Sequence, residues 1–409
     1  MRFLYTISIQ LYSLAIRFVS LWNPKAKLWM EGRKGWRKQL PAIQPQTEWL
    51  WFHAASLGEF EQGRPLIESI KTDFPEYKIL LTFFSPSGYE IRKNYEHADK
   101  VMYLPADTCQ NARFLVDHFK FKAVFFIKYE FWFNYIKAIS KAKIPLYFIA
   151  VRFRADQHFF KWYGSWFRKH LMQVQHFFVQ DEPSKYLLKS IAVERVTVNG
   201  DPRFDRVAAI AQQAANFPDV ESFMAKRKAI VAGSTWPPDE QLLLPLLAVL
   251  PADYCLILAP HDVSKSHIRQ IENALPDKAQ LFSNLANPVA SQVLIVDKIG
   301  ILSQLYQYAT LAYIGGGFGK AIHNIQEPVT FGVPVIFGPN HQQFNEAVDL
   351  IKLGGAFSVN TAENLKQQVI KLINETEFRQ RAATICKQYV ADQLGATAKI
   401  SAYLISRWS

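Results

Sequence analysis

Short runs of apolar residues recur along the chain after residue 48, separated by longer stretches of mixed apolar and polar residues. The runs span four to six residues with almost no alternation of apolar and polar positions, which is typical of strands buried on both faces of a parallel sheet. The intervening stretches are long enough for crossover helices. The pattern therefore predicts an α/β protein with two parallel sheets. The first series of predicted strands is Trp49–Ala54, Ile79–Phe84, Ala123–Ile127, Leu146–Val151, Phe177–Gln180 and Val196–Asn199, and the second is Ala229–Ala232, Cys255–Ala259, Val293–Val296, Leu311–Ile314 and Val333–Phe337.

The break between the two series defines the predicted domains. Helical composition over 208–215, followed by Asn-Phe-Pro-Asp, suggests a hinge between them. In open parallel sheets ligands bind beyond the carboxyl ends of the strands, so we expect the site in a cleft between two such domains. The predicted segments are a basic and apolar N-terminal segment (1–45), a first Rossmann-like domain (46–206), a linker (207–225), a second Rossmann-like domain (226–390) and a closing helix that could pack back on the first domain (391–409).

Composition restricts the class of protein further. The chain has 409 residues, of which 49% are hydrophobic and 20% charged, which excludes a disordered or collagen-like chain. Its three cysteines, Cys109, Cys255 and Cys386, lie far apart in sequence. This spacing excludes a disulfide scaffold or a structural zinc site and favours a reducing, cytosolic compartment.

Basic residues are concentrated at the N-terminus. The whole chain has a formal charge of +12, and residues 1–50 carry eight Lys and Arg against two Glu, or +6. The nearly uncharged run Phe3–Ile16 precedes this cluster, and Trp22, Trp29 and Trp36 follow the run. Its ~14 residues are fewer than the ~20 that span a bilayer, so we expect an anchor lying in the membrane plane on anionic lipid. The alternatives are a buried first helix and a nucleic-acid-binding segment, although the apolar run suits a membrane better than a phosphate backbone.

Polar residues directly after predicted strands are the candidates for chemistry. Glu59 ends the sequence His-Ala-Ala-Ser-Leu-Gly-Glu after the first strand, at the start of a predicted helix. Its carboxylate could accept a proton from a hydroxyl, or it could simply stabilise the helix start. Other polar residues that follow strands are Ser85, Ser87, Glu130, Arg152, Ser234, Thr235 and His261.

A glycine-rich turn follows the strand Leu311–Ile314. From Gly315 the sixth residue is Lys320 rather than glycine, and Ile314 and Ala321 stand where a Walker motif needs glycine and a hydroxyl residue. Neither nucleotide motif is therefore present. We expect a series of backbone N–H groups near a helix start, which suits an anionic phosphate. A plain tight turn is the alternative.

A second polar cluster lies a few residues further on. His323, Asn324 and Glu327 are three to four residues apart, so on one helical turn they share a face. A glutamate beside an amide can accept hydrogen bonds from two adjacent ribose hydroxyls. This spacing therefore predicts a site for the sugar of a nucleotide.

Five motifs, in chain order, resemble those of the 3-deoxy-D-manno-oct-2-ulosonic acid (Kdo) transferases. They are HAASLGE, SPSGY, Glu130-x-Trp-x-Asn, Gly233-Ser234-Thr235, and GGGFG followed by HNIQEP. The resemblance extends over nearly the whole chain. It implies a GT-B glycosyltransferase, with two Rossmann-like domains facing across a cleft and a short N-terminal membrane-associated helix. It also implies inverting transfer of Kdo from CMP-Kdo to a lipid A precursor (lipid IVA) in lipopolysaccharide biosynthesis, on the cytoplasmic face of the inner membrane of a Gram-negative bacterium.

The resemblance assigns roles to individual residues. Glu59 matches the family's general base, and Glu130 a second carboxylate important for activity. The implied donor-binding residues are Ser234, Thr235, His261, Gly316, Gly317, His323, Asn324 and Glu327, and the implied acceptor-binding residues are Ser56, Gly58, Ser85, Ser87 and Arg152. His261 stands where the family often has an arginine, whereas Arg152 keeps the family's cation.

No metal or other cofactor is expected, because no Asp-x-Asp pair follows a strand of the second series. Nucleic acid is not an expected partner. Two alternatives remain, namely another GT-B nucleotide-sugar transferase and a basic membrane-binding or nucleic-acid-binding protein without catalysis.

Overall fold

The strands and helices are those of a computed structural model that describes residues 2–408, apart from 276, 278 and 287–290. Met1 and Ser409, the outermost residues of the predicted terminal segments, lie outside the described residues. The strands are β1 (Trp49–Ala54), β2 (Lys78–Phe83), β3 (Lys100–Tyr103), β4 (Phe121–Ile127), β5 (Leu146–Val151), β6 (His176–Val179), β7 (Val196–Val198), β8 (Lys228–Thr235), β9 (Tyr254–Pro260), β10 (Gln280–Leu281), β11 (Val293–Ile295), β12 (Ala309–Ile314), β13 (Val335–Phe337) and β14 (Ala356–Ser358).

The α-helices are α1 (Arg2–Val19), α2 (Pro24–Glu31), α3 (Leu57–Asp73), α4 (Pro86–Arg92), α5 (Cys109–His118), α6 (Phe133–Lys141), α7 (Ser165–Leu171), α8 (Glu182–Lys189), α9 (Arg203–Gln212), α10 (Pro218–Met224), α11 (Pro237–Leu243), α12 (Lys265–Ala274), α13 (Leu302–Leu305), α14 (Gln326–Thr330), α15 (Asn345–Leu353), α16 (Ala362–Asn374), α17 (Thr376–Gln393) and α18 (Ala396–Trp408). Short 3₁₀ helices span Trp36–Gln39, His158–Phe160, Leu244–Ala248, Phe282–Asn284 and Tyr306–Tyr308.

Two seven-stranded sheets organise the chain, and every neighbouring pair of strands is parallel. Sheet 1 has the order β3-β2-β1-β4-β5-β6-β7, and sheet 2 has the order β10-β11-β9-β8-β12-β13-β14. Both orders are of the doubly wound type. In each sheet the first strand, β1 or β8, lies in the interior, and later strands are added on both sides of it. The predicted α/β fold of the GT-B type, with two Rossmann-like sheets, is thereby confirmed.

The sheets belong to two compact units. The first comprises Met1–Asp205 together with Gly395–Ser409, and the second comprises Arg206–Leu394. Residues 207–225, predicted as a linker, contain most of α9 and all of α10 and lie in the second unit. They are held there by hydrogen bonds such as that from the Phe217 N–H to the Tyr308 hydroxyl, at 2.7 Å.

Helix α18 completes the core of the first unit. Its Ile400 and Leu404 are fully buried, and the ring of Tyr403 lies 5.2 Å from that of Phe178 on β6. Trp408 packs 5.3 Å from the ring of Phe74, at the end of α3. The side chains of α18 therefore cover apolar surface that the sheet and α3 leave open.

Helix α1 lies across the carboxyl edge of sheet 1. The Tyr5 hydroxyl donates to Asp107, which follows β3, and the Tyr5 ring lies 5.1 Å from that of Phe133 beyond β4. The Tyr12 ring stacks 6.1 Å from that of Phe84, directly after β2. The opposite face is exposed to solvent, with accessible fractions of 60–76% at Phe3, Leu4, Leu11, Leu14 and Phe18.

These exposed fractions show that α1 is not a buried core helix. Within the described part of the chain, no helix combines the length and the apolar character needed to cross a membrane.

Candidate active site

A hydrogen-bonded network around His53 connects the carboxyl ends of β1 and β4. His53 is fully buried, and its Nε2 lies 3.0 Å from Glu130 Oε2. Its Nδ1 lies 2.9 Å from the Thr82 hydroxyl on the neighbouring strand β2, and Trp132 Nε1 donates to Glu130 Oε2 at 2.7 Å. These contacts are satisfied when the Thr82 hydroxyl donates to Nδ1 and the Nε2–H donates to Glu130 Oε2. The network therefore holds a buried carboxylate just beyond β4.

Glu59 lies in the first turn of α3, the helix that follows β1. The Ala55 N–H donates to Glu59 Oε2 at 2.6 Å, which satisfies a backbone donor at the helix start. Burial, and after it the negative charge of Glu130, raise the pKa of Glu59 to about 7, although the Ala55 bond and the charge of Lys128 act in the opposite direction. A base with a pKa near neutral pH is well matched to proton transfer. Glu59 thus has both a helix-start contact and the protonation behaviour of a base.

Four predicted acceptor residues surround Glu59. Ser56 directly precedes α3, and Gly58 lies in its first turn. The Ser85 N–H donates to the carbonyl oxygen of the residue before Ser56, at 2.8 Å, and the hydroxyls of Ser85 and Ser87 lie 2.7 Å apart. A Cβ at Gly58 would meet no atom of the described residues within 4 Å, so packing does not require glycine there. The loops after β1 and β2 therefore present hydroxyls and exposed backbone beside the carboxylate.

Arg152, the fifth predicted acceptor residue, is paired within the protein. It follows β5, and its Nε lies 2.8 Å from Asp181 Oδ2. Asp181 also caps α8 by accepting the Ser184 N–H at 2.9 Å. Asp181 thus neutralises the Arg152 guanidinium within the protein, and the role of Arg152 in binding the acceptor stays a prediction.

In the second unit, three adjacent strands bring the predicted donor residues to one edge. The strands are β9, β8 and β12, and His261, Ser234 and Gly315 lie at their carboxyl ends. Ser234 has φ +54°, in the left-handed region that non-glycine residues rarely adopt. A Cβ at Gly315 would lie 2.2 Å from Ser234 O. Glycine is therefore required where the two turns meet.

A cavity of about 230 Å³ opens at this edge of sheet 2. Ser234, His323, Asn324 and Glu327 line it, together with Tyr306. Asn324 Nδ2 donates to Glu327 Oε1 at 3.1 Å, and burial raises the pKa of Glu327. The structure thus gathers four of the predicted donor residues around one cavity.

The glycine turn after β12 does not present the predicted open series of N–H groups. The Gly315 N–H donates to Gly233 O at 2.9 Å, and the Gly316 N–H donates to Asp239 Oδ2 at 2.9 Å. The next helix, α14, begins only at Gln326, so no helix N-terminus lies at the turn. The expected helix start at the turn is therefore wrong, whereas phosphate binding by Gly316 stays a prediction.

Close backbone packing explains the glycines instead. Gly316 has φ +90°, and a Cβ there would lie 2.4 Å from Ala321 O. A Cβ at Gly317 would lie 2.6 Å from Gly338 N. Gly316 and Gly317 are thus needed for the chain to turn after β12 and pass the loop after β13.

Two further predicted donor residues have other partners. Thr235 is fully buried, and its hydroxyl donates to Glu240 Oε1 at 3.1 Å; its role in binding the donor stays a prediction. The His261 ring stacks on both Trp236, at 4.5 Å, and His323, at 4.7 Å, and Trp236 Nε1 donates to His323 Nε2 at 2.9 Å. Burial, and then the charge of His261, lower the pKa of His323. His261 therefore supports a wall of the cavity through His323.

Comparison with known proteins supports the resemblance to Kdo transferases. The sequence model of the family described as 3-deoxy-D-manno-octulosonic-acid transferase (kdotransferase) matches residues 32–206. A 3-deoxy-D-manno-octulosonic acid transferase of Chlamydophila psittaci is 27% identical over 371 residues, which are 87% of this chain and 83% of that protein. One from Haemophilus influenzae is 26% identical over 404 residues, covering 94% of this chain and 92% of the relative. The chain is thus similar to Kdo transferases over most of its length.

The fold has wider relatives. The structure of UDP-GlcNAc 2-epimerase from Neisseria meningitidis bound to UDP-GlcNAc superimposes with a TM-score of 0.61 and 16% identity, over 88% of this chain and all of the epimerase. This similarity concerns the fold alone. The family model and the curated relatives confirm the resemblance that the five motifs indicated.

Several residues near Glu59 and near the cavity of sheet 2 are not predicted from the sequence. His53 carries a signal, because it is a polar residue inside a strand whose other residues are apolar and must find a buried partner. Thr82, which supplies that partner, looks like an ordinary strand residue. The positive charge of Arg206 acts to lower the pKa of Glu327. Because the two residues are far apart in sequence, no local pattern predicts this interaction. Among the described residues, no group of three or more His, Cys, Asp or Glu could hold a metal ion.

Proposed function

We propose that this protein is a Kdo transferase, which transfers Kdo from CMP-Kdo to a glucosamine hydroxyl of a lipid A precursor, lipid IVA, with inversion at the anomeric carbon. The observation that carries the proposal is the Glu59 carboxylate, whose pKa is raised to about 7 at the edge of sheet 1 where the apolar helix α1 also lies. A base placed beside a lipid-facing helix suits an acceptor that combines a sugar hydroxyl with acyl chains.

In the proposed reaction the first unit activates the acceptor. A primary sugar hydroxyl has a pKa far above 7, so a base must remove its proton as the new bond forms. Glu59 takes that proton, while the acceptor oxygen attacks the ketosidic carbon of Kdo. Glu130, held by His53 and Trp132, keeps the pKa of Glu59 high by its negative charge. Ser56 and Ser85 are placed to orient the sugar by hydrogen bonds.

The second unit holds the donor. Glu327 accepts hydrogen bonds from the cytidine ribose hydroxyls, and Asn324 fixes the Glu327 carboxylate. The bond from the ketosidic carbon to the phosphate oxygen breaks as the acceptor oxygen attacks, and CMP leaves with the electron pair as an anion. The transition state has oxocarbenium character, as in glycoside hydrolysis. A single displacement of this kind inverts the anomeric centre.

Helix α1 is proposed to lie in the plane of the membrane. Its solvent-facing apolar side chains, such as Phe3, Leu11 and Phe18, are more than half exposed. The basic residues of the first 50 positions complement anionic lipid headgroups. We place the protein on the cytoplasmic face of the inner membrane of a Gram-negative bacterium, where a lipid acceptor and a soluble CMP-sugar meet.

Incubation of the purified protein with CMP-Kdo and lipid IVA tests the proposal. We expect a product heavier than lipid IVA by the mass of one or more Kdo residues, detected by mass spectrometry. UDP-GlcNAc in place of CMP-Kdo should give no product, and EDTA should leave the yield unchanged because no step requires a metal. Transfer from UDP-GlcNAc alone would identify a different nucleotide-sugar transferase, and no transfer from either donor would favour a binding protein.

Turnover should depend on pH through Glu59. The folded-state pKa of this carboxyl is about 7, and only the ionised form accepts a proton. We therefore expect kcat to rise with pH up to about 7 and then to level off. Measuring kcat from pH 5 to 9 at saturating CMP-Kdo checks this, and a profile already flat between pH 5 and 7 would contradict it.

A further inference from the structure

The loop between β5 and α7 exposes a tryptophan to solvent. Trp162 is 91% exposed, and its neighbour Tyr163 is 44% exposed. Tryptophan has one of the largest apolar surfaces of any side chain and is enriched where an apolar region meets water. A tryptophan exposed to this degree is therefore suited to an interface between water and an apolar phase.

The backbone around Trp162 is held in place rather than free. Arg168 Nη1 donates to the carbonyl oxygens of Phe159, at 3.1 Å, and Lys161, at 3.0 Å. A Cβ at Gly164 would lie 2.1 Å from His158 O, so the turn is close-packed. The loop therefore presents Trp162 from a fixed support.

This support is continuous with the face of the first unit that carries α1. Successive ring centroids lie 4.9–5.8 Å apart from the loop to the helix. The ring pairs are Trp162–Tyr163 (5.6 Å), Tyr163–His158 (5.8 Å), His158–Phe167 (5.5 Å), Phe167–Trp166 (5.0 Å), Trp166–Phe133 (4.9 Å) and Phe133–Tyr5 (5.1 Å). Tyr5 directly follows Phe3 and Leu4, which are 76% and 61% exposed. One continuous layer of aromatic rings thus lies beneath both the exposed Trp162 and the exposed residues Phe3 and Leu4 of α1.

The charges near the loop favour an anionic partner. Lys161 directly precedes Trp162, and Lys169 lies exposed on α7. Among the described residues, no carboxylate lies within ion-pair distance of either lysine, whereas Arg154 pairs with Asp156 at 3.3 Å. Apolar aromatic side chains flanked by unpaired lysines match the interface of an anionic bilayer.

We propose that the segment 158–163, with Trp162 at its tip, is a second bilayer contact of the first unit, separate from α1. This inference rests on the proposed membrane association of α1. The occupant is an anionic lipid surface, into which Trp162 inserts to headgroup depth while Lys161 and Lys169 contact lipid phosphates. Two contacts on one aromatic layer would fix the orientation of sheet 1 above the membrane.

Sedimentation of the full-length protein with vesicles of phosphatidylglycerol and phosphatidylethanolamine tests the inference. Trp162→Ser should lower the partition coefficient about tenfold, the loss expected when roughly 60 Å² of apolar surface stays in water. Tyr186→Ser is the matched control, since Tyr186 is 70% exposed on α8 of the same unit. The partition coefficient of Tyr186→Ser should lie within twofold of that of the unchanged protein. Leu11→Asp, in α1, tests the helix contact separately.

Each outcome has a distinct meaning. Reduced binding of both Trp162→Ser and Leu11→Asp, with Tyr186→Ser unaffected, supports the second contact. Normal binding of Trp162→Ser together with reduced binding of Leu11→Asp overturns the loop proposal and leaves membrane association by α1 intact. Failure of the unchanged protein to bind vesicles overturns both proposals. A Trp162→Ser variant that changes only the sedimentation coefficient of the protein alone would show that Trp162 joins two copies of the chain.

A second measurement reports on Trp162 directly. Vesicles whose lipids carry bromine near the headgroup quench tryptophan fluorescence at short range. Trp162→Phe should retain much of the binding but lose part of this quenching. Equal quenching of the variant and the unchanged protein, at equal bound fraction, would show that Trp162 stays in water.

Discussion

Glu59→Gln is expected to lower kcat for Kdo transfer by about a thousandfold while the affinity for CMP stays within twofold. Positioned general bases contribute roughly 10²–10⁴-fold to such reactions, and a glutamine amide cannot take the proton of the acceptor hydroxyl. The binding of CMP depends on the second unit, which the substitution does not touch. Single-turnover transfer assays together with calorimetric titration of CMP separate the two effects.

The controls for Glu59→Gln follow from the pKa of the carboxyl. Because the folded state raises this pKa to about 7, ionisation of Glu59 destabilises the fold as the pH rises from about 4.5 to above 7. Glutamine removes that charge and can still accept the Ala55 N–H. The melting temperature of the Glu59→Gln variant at pH 8 should therefore equal or exceed that of the unchanged protein. Glu76→Gln, at an exposed position, should leave kcat unchanged. A folded Glu59→Gln variant with normal turnover would rule out Glu59 as the base.

Glu327→Gln is expected to weaken CMP binding by roughly thirtyfold. Hydrogen bonds to a charged group contribute more than neutral ones, about 1.5–3 kcal/mol each, and glutamine offers one acceptor oxygen where the carboxylate offers two. The substitution keeps the volume of the side chain in the cavity lined by Asn324 and Tyr306. Calorimetric titration with CMP measures the loss, and the exposed Glu363→Gln in the same unit is the charge-matched control.

A modified ligand shows whether the loss arises at the ribose. Deoxy-CMP lacks the 2′-hydroxyl, so it should bind the unchanged protein more weakly than CMP does. In Glu327→Gln the two ligands should bind almost equally, because the carboxylate that distinguishes them is gone. If the variant prefers CMP as strongly as the unchanged protein does, Glu327 does not contact the ribose.

The strands of the two sheets are largely predictable from the sequence. Trp49–Ala54 and Leu146–Val151 match β1 and β5 to the residue, and each predicted strand overlaps an observed one. Continuous apolar runs identify these strands because both of their faces are buried. The strands that the pattern does not predict, β3, β10 and β14, all lie at sheet edges. Edge strands are short and contact a single neighbour, so they need few apolar residues.

The site is predictable only in part. Residues placed by the ends of adjacent strands, such as Ser85 and Ser234, lie at the expected edges, because parallel topology alone brings them there. What each polar group contacts is a separate question. The pairing of Arg152 with Asp181 joins two separate segments and depends on side-chain geometry, which local sequence patterns do not encode.

The return of α18 to the first unit has a consequence for how the protein is made. A ribosome completes all seven strands of sheet 1 well before it reaches residue 395, yet Phe178 and Phe74 gain their partners Tyr403 and Trp408 only from α18. Nascent domains generally fold in the order in which they emerge. Here the second unit can complete its folding while the first unit still exposes apolar surface. The unit that is synthesised first is therefore the last to complete its fold, and chaperones must cover its apolar surface until α18 is made.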